Sequence, residues 1–261
     1  MTILLHELRR GKLALIVWSL IIAYMLGVCV LIYPFIATQL SDLGQMFADM
    51  GGMSNEVLAE QFNLGDFMTY FSMECGEMLG LGGALFAAIA GASALAKEER
   101  EHTAEFLLTH PISRTRIITE KLIATFLQVI LLNAVAVAVS VGCILIASVD
   151  ADAGALALLF LSYLILQLEI AAIAFGISAF LRRSEIVSGL GVAFALYVVY
   201  IIANLSDKLD FLNFITPFGY TDGSYIINER SLDVKYIAVG VVMGTAGIAV
   251  AYWKYNRKDI A

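Results

Sequence analysis

Six separate apolar runs, each of 19 residues or more, constrain this chain more than anything else in it. A helix needs about 20 predominantly apolar residues to cross the hydrocarbon core of a bilayer. In lipid every backbone N–H and C=O must be satisfied within the protein, so runs of this length are read as helices. The spans predicted are about 13–37, 78–96, 122–149, 155–181, 186–205 and 236–255. Composition agrees: 60% of residues are hydrophobic, 15% are charged, and the mean hydropathy is +0.85. A soluble domain carries about 25% charged residues. The fold expected is an all-α integral membrane protein, with residues 1–261 forming one transmembrane domain.

Lys and Arg placement gives an orientation. Thirteen of the 16 fall in segments that six alternating spans put on one side: Arg9, Arg10, Lys12; Lys97, Arg100, Arg114, Arg116, Lys121; Arg182, Arg183; and Lys254, Arg257, Lys258. By the positive-inside rule that side is cytoplasmic, and both termini lie on it. The segment 38–76 carries Asp42, Asp49, Glu56, Glu60, Asp66 and Glu74 with no Lys or Arg, and is read as an outer loop holding a possible helix. The net charge of −7 includes no basic face, which excludes nucleic acid as a partner. The first apolar run is too long for a signal-peptide core and lacks an A-x-A site, so it is expected to be retained. Residues 1–12 alternate Ile3, Leu4, Leu5 and Leu8 with Arg9, Arg10 and Lys12, the pattern of an amphipathic helix in the inner membrane interface. Cys29, Cys75 and Cys143 form no CxxC pair and read as small buried hydrophobes.

Span two is built from small residues: 12 of its 19 are Gly, Ala or Ser, and Gly83, Ala87 and Gly91 share one face. Such faces let helix backbones approach closely in lipid. They serve either packing within the chain or a sliding surface. Span four carries Glu169, 13 residues before Arg182 and therefore roughly 20 Å from the inner boundary. A carboxylate at that depth costs about 2.5–3.5 kcal/mol on insertion scales and marks a functional candidate. Asn133 in span three reaches a similar height, and Gln128 lies lower in the same span. Two readings stand for Glu169: a protonated carboxyl hydrogen-bonded to Asn133 or to a backbone carbonyl, or a charge that faces the dimer cavity, where it attracts cationic or amphipathic cargo.

The most informative stretch is the loop 97–121, KEEREHTAEFLLTHPISRTRIITEK. Pro111 ends any helix begun before it, and Ser113 or Thr115 can cap the helix that follows. An apolar turn beside charges at the cytoplasmic face suits docking of a soluble partner. Glu98, Thr103, Glu105-Phe106-Leu107-Leu108, Pro111-Ile112-Ser113-Arg114 and Lys121 resemble the "E…GT-E-LL--P-SR…K" signature of ABC-2 type transporter permeases. The chain departs from it with His102 where Gly is common and with Ala104 between Thr103 and Glu105. Thr216-Pro-Phe-Gly-Tyr220 and the ending Tyr252-Trp-Lys-Tyr-Asn-Arg-Lys-Asp-Ile260 are similar to two further family segments.

The resemblance implies a permease of six spans bound to two cytoplasmic ATPase subunits and to a second permease, with a homodimer the expected arrangement. It implies that 97–121 holds a coupling helix seated on the ATPase, with Glu98, Thr103, Glu105, Phe106, Leu107, Leu108 and Pro111 in it. Arg114 and Arg116 would pair with acidic groups of the ATPase, and Arg182 and Arg183 would make a lesser contact. No cofactor is expected on this chain; ATP and Mg would sit on the partner. The expected setting is a bacterial plasma membrane, and the expected cargo is hydrophobic or amphipathic. A passive channel, a membrane anchor or an intramembrane enzyme are the alternatives. The chain has no GxxxxGK[ST] phosphate loop and no HExxH pair, and Thr103 stands where an EExxxR motif needs Arg.

Overall fold

A computed structural model describes residues 2–49, 66–100, 113–181, 185–205 and 207–257. Its elements are α1 (Thr2–Asp49), α2 (Phe67–Cys75), a π-helical turn (Gly76–Leu81), α3 (Gly82–Arg100), α4 (Arg114–Ala147), α5 (Ala153–Ser178) and α6 (Glu185–Ala203). Two 3₁₀ segments follow (Asp207–Phe214 and Pro217–Tyr220), then α7 (Gly223–Glu229) and α8 (Val234–Arg257). Among the described residues six stretches are long and apolar enough to span a membrane: Ile3–Gln39, Phe67–Ala96, Arg114–Ala147, Ala153–Ser178, Ile186–Ala203 and Val234–Arg257. No strand occurs among the described residues.

Helix α5 is the centre. No residue of it from Ser162 to Ser178 is exposed, and Leu159, Leu166, Ile170 and Phe175 have no exposed surface. Helices α3 and α8 pack on it, α6 packs on α3, and α1 packs on α4. Between apolar helices in lipid, small residues decide which faces meet. A Cβ at Gly91 of α3 would strike the Ala171 carbonyl of α5, and one at Gly189 of α6 would lie 2.8 Å from the Ala88 carbonyl of α3. The Gly83–Ala87–Gly91 face is thus used within the chain, with Gly83 set against Gln167 and Gly91 against α5. A second seam joins α8 to α5: Gly244 faces Ala172, and Gly247 faces both the Ala172 carbonyl and Gly176.

Two elements run further than the sequence reading placed them. Residues 2–12 are not a separate helix; they form the first part of α1. Nothing between Lys12 and Leu13 breaks a helix, and Gly11 alone costs only about 1 kcal/mol. Leu4 and Leu8 are half-buried, whereas Leu5, Arg9 and Lys12 are exposed. The second spanning stretch begins at Phe67, inside what reads as an outer loop. Asp66 caps it by accepting from the Thr69 amide at 3.1 Å. Aromatic contacts then hold α2 in place, with Tyr33–Phe67 centroids 5.1 Å apart, Phe67–Phe71 5.5 Å and Phe71–Phe160 6.1 Å. At this end of the bundle Asp152 caps α5 and pairs with Arg230 at 2.5 Å. The amides of Gly154 and Ala155, and then Arg230, hold the Asp152 carboxyl below the usual carboxylate range.

Candidate functional site

Gln167 and Glu169 are two residues apart on α5, so a helical step of roughly 200° sends them to opposite sides. Gln167 is fully buried. Its Nε2 donates to the Leu79 carbonyl in the π-helical turn at 2.9 Å, and its Oε1 accepts from Asn133 Nδ2 at 2.7 Å. Asn133 also donates to the Val129 carbonyl at 2.9 Å. These three groups bind α4, α5 and the π-helical turn together. Turns of this kind interrupt the regular ladder of helix hydrogen bonds, and here a side chain of α5 bonds to one of the turn's carbonyls.

Glu169 looks the other way, toward α8. It is 4% exposed, and Tyr220 Oη donates to its Oε2 at 2.7 Å. Of the two partners offered for a hydrogen-bonded Glu169, Asn133 pairs instead with Gln167, and Glu169 accepts from the tyrosine that ends the Thr216-Pro-Phe-Gly-Tyr220 segment. That segment is fixed locally. Thr216 Oγ1 accepts from the Phe218 amide at 3.3 Å and donates to the Leu196 carbonyl at 2.8 Å. Room for the carboxyl comes from Gly240, where a Cβ would collide with the Glu169 side chain. Glu169 therefore ties α5 to α8 and to the second 3₁₀ segment.

Gln128 sits apart from both groups. It fills the notch left by Gly11 of α1, where a Cβ would approach its amide to 2.9 Å. Within this chain Glu169, Asn133 and Gln128 thus belong to three separate sets of contacts. Since Gln keeps an acceptor for the Tyr220 hydroxyl, Glu169→Gln is expected to leave thermal stability in detergent within about 1 kcal/mol of wild type. Glu169→Ala is expected to cost about 2–4 kcal/mol, through a cavity and an unsatisfied hydroxyl. Equal melting temperatures for the two variants would remove this tie.

The basic end holds a second set of polar contacts. Ser113 caps α4 by accepting from the Arg116 amide at 3.3 Å. Arg114 donates to the carbonyls of Tyr255 and Asn256 at 3.4 and 3.3 Å, which joins the start of α4 to the end of α8. Arg116, with its side chain 63% exposed, pairs with Glu120 at 2.9 Å, and Glu120 also accepts from the Leu4 amide at 3.2 Å. Thr119 and Tyr252 hydroxyls meet at 2.7 Å. Lys121 is 1% exposed; its Nζ donates to the Ala94 carbonyl at 2.6 Å and to Glu7 at 3.2 Å. Helices α1, α3, α4 and α8 are thus locked to one another where the 97–121 loop begins and ends. Thr103, Glu105, Phe106, Leu107, Leu108, Pro111, Arg182 and Arg183 lie outside the described residues, as does the side chain of Glu98.

The sequence reading missed Gln167, Tyr220 and the depth of Lys121. Gln167 was visible two residues from Glu169 in an apolar run, the same signal that marked Glu169. Among the described residues no group of three His, Cys, Asp or Glu side chains is placed to hold a metal ion. Comparison with curated proteins gave no match. The family model described as "ABC-2 family transporter protein" matches residues 1–260, nearly the whole of a chain with six spanning stretches, and the protein belongs to that family.

Proposed function

We propose that this chain is the permease subunit of an ATP-driven exporter, energised by two cytoplasmic ATPase subunits and completed by a second permease, most simply a copy of itself. The family is in general the membrane-spanning subunit of ABC transporters and is not itself catalytic. The observation that carries the proposal is the family match over 1–260 joined to the loop signature from Glu98 to Lys121. In this reading the basic end is cytoplasmic, ATP and Mg bind on the partner, and the loop 97–121 seats Phe106 and Leu107 in the ATPase. Arg116 remains accessible for an acidic partner group. The locked base supports coupling, because a push on either end of the loop is shared by α1, α3, α4 and α8. The cargo is hydrophobic or amphipathic and leaves the cell across a bacterial plasma membrane.

The test is capture of the ATPase by the tagged permease, followed by cargo-stimulated hydrolysis. Replacing Phe106 and Leu107 together by Asp puts two charges into an apolar contact and costs several kcal/mol. The double variant is expected to insert normally, lose ATPase capture by more than about tenfold, and lose stimulation. Normal transport by that variant would show that the loop is not the coupling element.

A further inference from the structure

A cavity of about 320 Å³ opens between α2, the π-helical turn, α5, α6 and the start of α7, toward the end of the bundle opposite Arg114, Arg116 and Lys121. None of Glu169, Asn133 and Gln128 lines it. Its wall carries three acidic residues, Glu74, Glu77 and Asp222, and no Lys, Arg or His among the described residues. Asp222 is occupied as the cap of α7, accepting from the amides of Ser224 and Tyr225. Glu77 accepts from Tyr197 Oη at 3.0 and 3.2 Å to its two oxygens. Glu74 receives one long contact, from Cys29 Sγ at 3.7 Å. Much of the acceptor capacity of these two glutamates is therefore open.

The rest of the wall is aromatic. Tyr197, Tyr200 and Phe218 form a cluster with centroid separations of 5.4, 6.0 and 6.2 Å. An independent observation comes from α5. Tyr163 lines the cavity, is 1% exposed, and its hydroxyl has no hydrogen-bond partner among the described residues. A Cβ at Gly76, on the same wall, would come within 3.2 Å of that hydroxyl. A buried hydroxyl left unmatched costs about 1–3 kcal/mol, and a ligand that bonds to it recovers that cost.

We propose that this cavity binds an organic ammonium ion. Carboxylates supply the countercharge, and ring faces attract a cation carried on a hydrocarbon body. The Tyr163 oxygen accepts from an N–H of the ammonium. This chemistry discriminates against a metal ion, because no three carboxylates here converge with ligand geometry. It also favours an amine that keeps at least one N–H. The proposal deepens the transport reading and rests on it for its purpose: the cavity is where a cationic amphipathic cargo is held on the side away from the ATPase. The ammonium could belong to a free amine or to a phosphatidylethanolamine headgroup; the chemistry is shared.

The test is isothermal titration of benzylammonium into the full chain in maltoside micelles, which carry no ammonium and no charge. Binding needs no ATPase, so its failure is separate from failure of ATPase capture. Saturable binding at one site per chain is expected. Glu74→Gln/Glu77→Gln should weaken it more than about tenfold, and Tyr200→Leu should weaken it about tenfold while Tyr200→Phe holds within about twofold. Tyr163→Phe should weaken benzylammonium several-fold and leave benzyltrimethylammonium unchanged. Repeating the titration with phosphatidylethanolamine in the micelle separates the two sources: a raised apparent Kd identifies the headgroup as an occupant, and an unchanged one identifies the free amine. No saturable binding, wild-type affinity in the double Gln variant, or calcium binding that benzylammonium does not displace would overturn the proposal. Elution of each variant as a single peak on size exclusion verifies that it is folded.

Discussion

Lys121→Ala is expected to destabilise the bundle more than any other single truncation at its basic end. The ammonium is 1% exposed and holds two groups from two other helices, the Ala94 carbonyl of α3 and Glu7 of α1. Removing it leaves a carboxylate, itself only 14% exposed, without its cation. Breaking a buried pair from one side costs roughly 3–5 kcal/mol, because the orphaned charge keeps its desolvation cost. Lys121→Met/Glu7→Gln removes both charges and keeps most of the volume, so it is expected to recover more than half of that loss. Thermal unfolding of the purified chain in detergent measures both. If Lys121→Ala melts with wild type, or if the double variant is no better than Lys121→Ala, the tie carries no stability. A functional reading separates position from packing. The double variant, folded but without the tie, should insert and capture the ATPase, and it should show weaker cargo stimulation because α3 and α4 no longer move together.

Six spanning stretches and an all-helical fold were legible because lipid admits few alternatives. An apolar run of sufficient length has one structure available to it. What escaped was where a polar side chain is not paid against lipid but against protein. Glu74 and Glu77 make the stretch from Phe67 look like an outer loop. Both lie in the helical stretch Phe67–Ala96 and line a cavity. The N-terminal segment was legible as amphipathic, but its apolar side could face lipid or another helix equally well. Gly11 and Leu4 settle against Gln128 and Glu120 of α4, contacts over more than 100 residues that no local pattern encodes.

The candidate site was legible in one residue and hidden in its partners. Depth along span four singles out Glu169 by counting alone. Height cannot tell which side of a helix a residue occupies relative to its neighbours. Asn133 stands at about the height of Glu169 and yet pairs with Gln167, because α4 lies on the Gln167 side of α5. Tyr220 comes from a 3₁₀ segment 51 residues later, and its approach depends on Gly240 of a further helix. That arrangement needs α5, α8 and the segment between α6 and α7 placed together before any of its bonds exists.

Gly176→Leu is expected to abolish the folded bundle, whereas Gly142→Leu leaves it intact. Both glycines lie within long spanning helices, and in each the change improves intrinsic helix propensity by about 1 kcal/mol. Their surroundings differ. A Cβ at Gly176 would lie 2.6 Å from the Gly247 carbonyl oxygen and 2.7 Å from its Cα, so it meets backbone that has no rotamer to change. A Cβ at Gly142 has nothing within 4 Å. Small-to-large changes in a packed core cost about 1–3 kcal/mol when side chains can shift. Against backbone the whole of α8 must move off α5, and the Glu169 carboxyl in its Gly240 notch goes with it. Packing of small residues is the main force joining such helices in lipid, so a displaced seam has little to replace it. Size exclusion in detergent is expected to show Gly176→Leu as aggregate with less than about a tenth of wild-type yield, and Gly142→Leu as a single peak at wild-type yield. Gly247→Leu, on the opposite side of the same contact, should behave as Gly176→Leu does. A monodisperse Gly176→Leu chain with wild-type melting would mean that α5 and α8 are not in backbone contact, and the placement of Tyr220 beside Glu169 would fall with it.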